Sequence, residues 1–312
     1  MTRLDELAKS LKCLEVADRN VFQRKARVLQ ALWRVEQGYP IGRLRDEGRQ
    51  IGSLLDMPWA EQTEANFLDN DIRRVVREVL AVHGDGPDRR VIERRRLFGN
   101  LLSSQPMAFN LFSHLRLDLD LASAVFESLS GGRVGHVVSV DFEFSPGRGD
   151  PRYTGDRSAF DVYARYVTPA GGTGFAGIEV KYHESLADKP SRHHRRYDAV
   201  AEEMGCFDPE ARDRLKDKPL QQIWRDHLLA GAHRMVDEFA DGFFVFLSPR
   251  GNDACNRAVA AYRDCLASEK GFAHWDLETV VAVLRRHAEA SWVDAFADRY
   301  LAFDRVDRAL GV

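Results

Sequence analysis

Between Val134 and Tyr182 the chain reads as three successive strands, and no other stretch restricts the fold as tightly. Val138, Val140, Phe142 and Phe144 alternate with Ser139, Asp141 and Glu143, the two-residue period of a strand with one apolar and one polar face. A loop rich in Gly, Pro, Arg and Asp runs from Ser145 to Ser158 and leads into a second β-rich run, Phe160 to Val167. Pro169-Ala170-Gly171-Gly172-Thr173-Gly174 then separates it from a third, Phe175 to Tyr182. Two such runs joined by a tight glycine-rich connection predict an antiparallel hairpin.

Helical spacing surrounds this centre. Val21, Leu29, Leu32 and Trp33 fall on one face of residues 3 to about 36, which stop at Gly38-Tyr39-Pro40. Phe67, Ile72, Val76 and Leu80 mark a second block over about 60 to 83. Helix is expected again through Arg94-Arg95-Arg96-Leu97 and from about 107 to 129, ending at Ser130-Gly131-Gly132. The first 130 residues therefore read as all-helical. The break His83-Gly84-Asp85-Gly86-Pro87 predicts a helical N-terminal region over 1–86 and a second domain over 87–312. Beyond the hairpin, a helix over about 219 to 239 precedes the apolar run Gly242 to Leu247, the pattern of a helical crossover back to a sheet. Helices over about 252–268, 276–288 and 291–309 complete an α/β (α+β) chain, a mixed sheet flanked by helices.

Composition narrows the function classes. With 44% hydrophobic and 30% charged residues the chain is globular, and a net charge of -3 excludes a global basic field for a polyanion. Any nucleic-acid surface must be local. Cys13, Cys206, Cys255 and Cys265 form no metal-ligand or redox spacing. The N-terminus is charged throughout and the purely apolar runs are no longer than Phe243 to Leu247, so neither secretion nor membrane insertion is expected and the cytoplasm is the expected compartment. No glycine pattern suits a phosphate-cradling loop, so no nucleotide cofactor is expected.

The third strand carries the chemistry. Residues two apart share a face, so Glu179 and Lys181 project together while Ile178 and Val180 point the other way. Asp161 opens the neighbouring strand, and the hairpin sets it near Glu179. Two converging carboxylates suit a hard divalent cation such as Mg²⁺, for which Mn²⁺ can substitute, with the Val180 carbonyl as a further ligand. Lys181 would donate to a scissile phosphate, or orient or deprotonate an attacking water. A Glu-x-Lys pair on a strand also occurs as a plain ion pair, worth only about 0.2 to 1 kcal/mol.

An Asp, an 18-residue step through a hairpin and then Glu-x-Lys on an apolar strand resembles the PD-(D/E)xK restriction-endonuclease-like nuclease superfamily. A closer likeness, to a group of bacterial restriction-endonuclease-like proteins, covers about 90 to 250. It rests on Ser103-Ser104-Gln105 with Phe109-Asn110, Thr154 to Asp161, Gly177 to Glu184 and Gln222 to Leu229. The resemblance implies a mixed sheet flanked by helices, divalent-metal dependence and a nucleic-acid substrate, DNA above all, in restriction or defence. It implies Asp161 and Glu179 as metal holders and Lys181 as catalytic. Phe160 stands where the superfamily's name has proline. Glu143, Asp150 and Asp156 are candidates for a third carboxylate, and Gln222, Arg225 and Asp226 share a helix face that can point at metal or phosphate. His183, Glu184, the His193-His194-Arg195-Arg196 cluster and Arg94 to Arg96 are candidate substrate contacts, and the likeness raises Gln105 and Asn110 above a plain helix cap. A double-strand cut needs two active sites, which favours a homodimer. The competing readings are a non-catalytic nucleic-acid or protein-binding module of this fold, and a nuclease acting on RNA.

Overall fold

The computed structural model describes residues 2–44, 48–82, 92–187, 189–288 and 291–311. The division read at His83 to Pro87 lies outside them.

Two helices, α1 (Arg3–Ser10) and α2 (Val21–Glu36), are followed by two short antiparallel strands, β1 (Ile41–Arg43) and β2 (Gln50–Leu55). This hairpin corrects the all-helical reading of the first 130 residues. Its strands are too short, and Gly42 too weak a strand former, to stand out beside the helical periodicity. Helices α3 (Met57–Thr63) and α4 (Asn70–Val82) come next. Where helix was read through Arg94 to Leu97, Arg95–Gly99 forms a single π-helical turn. The long helix read over 107–129 is two, α5 (Ser104–Leu117) and α6 (Leu119–Ser130), parted at Asp118, which caps α6 by accepting from the Leu121 N–H.

The four predicted strands and one more form a five-stranded mixed sheet. In sequence order β3 (His136–Phe144), β4 (Phe160–Val167) and β5 (Thr173–Val180) are antiparallel neighbours, and β5 pairs in parallel with β6 (Asp241–Ser248). Between them lie α7 (Arg195–Met204), the short α8 (Arg212–Leu215) and α9 (Gln221–Val236), the crossover read from the sequence. After α10 (Asp253–Arg263), β7 (Phe272–Asp276) adds a parallel edge strand that the sequence reading did not contain. Helices α11 (Leu277–His287), α12 (Ser291–Tyr300) and α13 (Asp304–Ala309) close the chain.

One detail of β3 reverses an expectation. A bulge between Val137 and Ser139 shifts the register, so Val138 turns outward at 38% exposed while Val140 and Phe142 stay in the core at 2% and 1%.

Apolar side chains cover both sheet faces. Val162, Ile178, Val180 and Val245 pack with α5, α6, α11 and α12, in a cluster that also takes in Ala26 and Trp33 of α2. Tyr163, Phe175, Phe244 and Phe246 pack on the other face beneath α7, α9 and α10. Asp161 and Glu179 belong by parity to this second face.

Candidate active site

The site forms where β4 and β5 end side by side. Val162 pairs with Ile178, so Asp161 and Glu179 come next in line across the hairpin. Asp161 Oδ2 accepts the Val180 N–H at 2.7 Å. Lys181 continues the line of β5, its N–H donating to the Leu247 carbonyl at 2.8 Å. Its side chain therefore lies beside Glu179, with Nζ 2.6 Å from Glu179 Oε1. Gln222, on the first turn of α9, donates Nε2 to the same oxygen at 2.7 Å. Glu143 lies across from Asp161 between the Phe142–Val162 and Phe144–Phe160 pairs, and accepts Gln105 Nε2 at 2.6 Å. Five candidates read from the sequence, Asp161, Glu179, Lys181, Glu143 and Gln222, thus meet, and Gln105 joins them through Glu143.

Charge is unbalanced here. Burial, and then the Glu179 and Glu143 carboxylates, push the Asp161 carboxyl well above its usual range against the pull of Lys181 and the Val180 N–H. Burial and Glu179 do the same to Asp226, whose Oδ2 is buried with no hydrogen-bond partner among the described residues. For Lys181, burial disfavours the ammonium, but Glu179, Glu184 and Asp161 outweigh it and raise its pKa. Glu184 is moved the other way: burial opposes its charge, yet Lys181 and the Tyr182 N–H hold it below its ordinary value. One lysine thus faces a surplus of carboxylates.

Other candidates are placed elsewhere. Asp156 is committed to Thr154, Ser158 and Tyr197, and Arg225 bridges it to Ser158 and Ser191, so this pair braces the loop before β4. Asp150 pairs with Arg152. His193 pairs with Asp198, Arg196 with Glu203 and Arg94 with Glu61, so much of both basic clusters is taken up by neighbouring acids. Asn110 lies in the core, bonded to Asn66, Leu68 and Tyr300.

Several contributors carry no local signal. Asn252 caps α10 and its amide also donates to the Tyr182 and Glu184 carbonyls at 3.1 and 2.9 Å, clamping the turn after Lys181. His183 is held by Asp18 at 2.8 Å, and Asp18 by Arg27 of α2 at 2.6 Å. Gln23 donates to the His183 carbonyl at 3.1 Å. The Pro249-Arg250-Gly251 turn before Asn252 marks a cap, but not what the cap holds.

Two hollows share Lys181, Glu184 and Gln222 in their lining: one of about 580 Å³ bordered by Arg27, Leu54 and Arg96, and one of about 250 Å³ bordered by Lys189, Lys218 and Arg225. Among the described residues no three His, Cys, Asp or Glu side chains are gathered as a metal cage. The surplus of carboxylates and the unpartnered Asp226 oxygen still fit a hard divalent cation, which needs only one or two carboxylates and keeps several waters.

Fold and site together define a class: a mixed sheet between helical layers whose Asp, Glu and Lys converge beneath a cleft bordered by cations, a nuclease arrangement. The sequence model of the PD-(D/E)XK nuclease superfamily matches residues 17–302, and the chain belongs to that superfamily. No curated protein and no solved structure matches it. No helix among the described residues is long and apolar enough to cross a membrane.

Proposed function

We propose that this protein is a divalent-metal-dependent deoxyribonuclease. The observation that carries the reading is the convergence of Asp161, Glu179, Lys181 and Gln222 at the mouth of a cleft bordered by arginines and lysines. In it, Asp161, Glu179 and the Val180 carbonyl would hold Mg²⁺ or Mn²⁺, which when bound would supply Lewis-acid activation of a water and of the phosphate. Lys181 Nζ, 2.6 Å from Glu179 Oε1, lies where it would donate to the scissile phosphate, or orient or deprotonate the attacking water. Gln222 and Lys181 fix the Glu179 carboxylate from two sides; Gln105 fixes Glu143. A water oxygen bonds to phosphorus and gives up one proton, the ester bond to one sugar oxygen breaks, and the departing alkoxide takes up a proton, so the water's two parts end on the phosphate and the sugar.

In this reading residues 87–312 form the nuclease domain, and the region 1–86 adds the other wall of the cleft. A cytoplasmic role against foreign DNA, with a homodimer supplying two sites for a double-strand cut, fits the family, the unpaired cysteines and the geometry of duplex cleavage.

The test is incubation with plasmid, linear and single-stranded DNA and with RNA, in Mg²⁺ or Mn²⁺. The wild type is expected to cut DNA, and Lys181→Ala to lose roughly 10²–10³-fold in rate. Equal cutting by Glu179→Ala and Lys181→Ala sinks the site assignment. Cutting of RNA alone makes the protein a ribonuclease, and binding without cutting makes it a binding module.

A further inference from the structure

Glu179 and Lys181 are nearly closed off, at 6% and 7% exposed, and Lys181 lines the hollow of about 580 Å³. One wall of that hollow comes from the N-terminal region, Leu44 just past β1 and Ile51 and Leu54 of β2, and is continued by Arg96 of the π-helical turn. Leu44, Leu54 and Arg96 also border a hollow of about 360 Å³ shared with Arg43 and Arg95. Arg43 in turn borders one of about 590 Å³ shared with Lys9 and Lys12. With the hollow at Lys189 and Lys218, four spaces joined at common residues run from α1, over the β1–β2 hairpin, past Lys181 and out beside α9.

Several cations along this line have no partner among the described residues. The side chains of Lys9, Arg96, Lys189 and Lys218 make no hydrogen bond or ion pair with other described residues, whereas Glu15, one of the acids lining the hollow at Lys181, is held by Arg49 at 2.6 Å. In a chain of net charge -3 such a track is a local feature, and unpaired cations in a line are what a phosphodiester backbone exchanges for its counterions.

We propose that this track is the path of one DNA strand, with the β1–β2 hairpin and the π-helical turn as its outer wall. The inference rests on the nuclease reading and adds the form of the substrate. A hollow of about 580 Å³ encloses a group of roughly nucleotide size. A hollow of that size takes one nucleotide unit at a time, which suits a single strand better than a stacked duplex. Leu44, Ile51 and Leu54 offer an aliphatic wall that covers a base face and reads no hydrogen-bonding edge, so the path tolerates sequence.

Anisotropy of a fluorescein-labelled 20-nucleotide DNA strand, its duplex and the matching RNA strand, measured in EDTA, tests this without cleavage. The DNA strand is expected to bind more tightly than the duplex. Arg96→Glu and Lys218→Glu, both at surface positions with no partner among the described residues, each weaken it several-fold and flatten the salt dependence by about 0.7 for each phosphate no longer neutralised. Leu54→Trp, which fills the wall, weakens the strand more than the duplex. Duplex binding as tight as the strand, tighter binding of RNA, or no effect from either charge reversal overturns the proposal. Cleavage in Mn²⁺ separates the two readings. A strand bound in this path but never cut refutes the nuclease and keeps the path, while Glu179-dependent cutting of duplex without strand binding refutes the path alone.

Discussion

Two buried charged clusters in this molecule are built on opposite terms. Arg299 in α12 is fully buried, and its guanidinium is answered on every side: by the Gln30 Oε1, by the Asn66 carbonyl and side-chain oxygen, and by the Trp33 and Tyr300 rings at 4.0 and 4.7 Å. At the sheet end, Asp161, Glu179, Glu184 and Asp226 crowd one lysine and one Asp226 oxygen has no partner among the described residues. A satisfied buried charge specifies packing, and an unsatisfied one waits for a ligand. The contrast separates a structural hub from a site more clearly than burial does, since both clusters are buried.

The strongest way to break the comparison is at Arg299. Arg299→Met strands three acceptors, at about 1–3 kcal/mol each, so a loss of several kcal/mol in denaturant unfolding is expected. A loss below about 1 kcal/mol would show that the hub is not the satisfied cluster its geometry describes. At the other cluster, Mn²⁺ should stabilise the wild type by about 2.7 kcal/mol at a hundred times its dissociation constant. Asp161→Ala should abolish that rise in melting temperature. An equal rise in both proteins would place the ion elsewhere.

Asp18 ties His183, two residues past Lys181, to Arg27 of α2, and its effect should be nearer 2 kcal/mol. Burial opposes its charge, but the hydrogen bonds from His183 and Arg27 win and bring its pKa down to about 2. A carboxyl whose folded pKa is depressed contributes stability above its unfolded value near 4 and loses it as pH falls toward 2. The stability gap between wild type and Asp18→Asn should therefore be full at pH 6 and close by about pH 2. Chemical denaturation across that range measures it, and a constant gap would mean that the Asp18 charge is not what holds His183.

The sequence exposed the site more fully than the wall in front of it. Asp161, Glu179 and Lys181 were legible because strand parity and one glycine-rich turn fix their relation within about 20 residues, and Gln222 because helical periodicity sets its face. Asn252, Gln23 and Asp18 were not, because their partners lie 68 to 165 residues away and nothing local encodes a long-range hydrogen bond. The β1–β2 hairpin was hidden for a different reason. At Gly42 a Cβ would lie 2.3 Å from the Leu55 carbonyl oxygen, so this close approach needs glycine, the residue that weakens a strand signal. Strand β7 was hidden by continuity, since Asp276 ends it and also caps α11, leaving no loop to mark a boundary.

The phase of β3 offers the smallest and sharpest test, because sequence and structure disagree over one residue. Alternation puts Val138 and Val140 on the same apolar face, and the bulge after Val137 puts only Val140 there. Glu143 depends on this, because the register beyond the bulge sets it across from Asp161 rather than one position along. Val140→Thr buries a hydroxyl among apolar neighbours and should lose about 1 kcal/mol or somewhat more. Val138→Thr, with its side chain in solvent, should stay within about 0.5 kcal/mol of wild type. Matched losses in denaturant unfolding would remove the bulge, and with it the placement of Glu143 beside the catalytic pair.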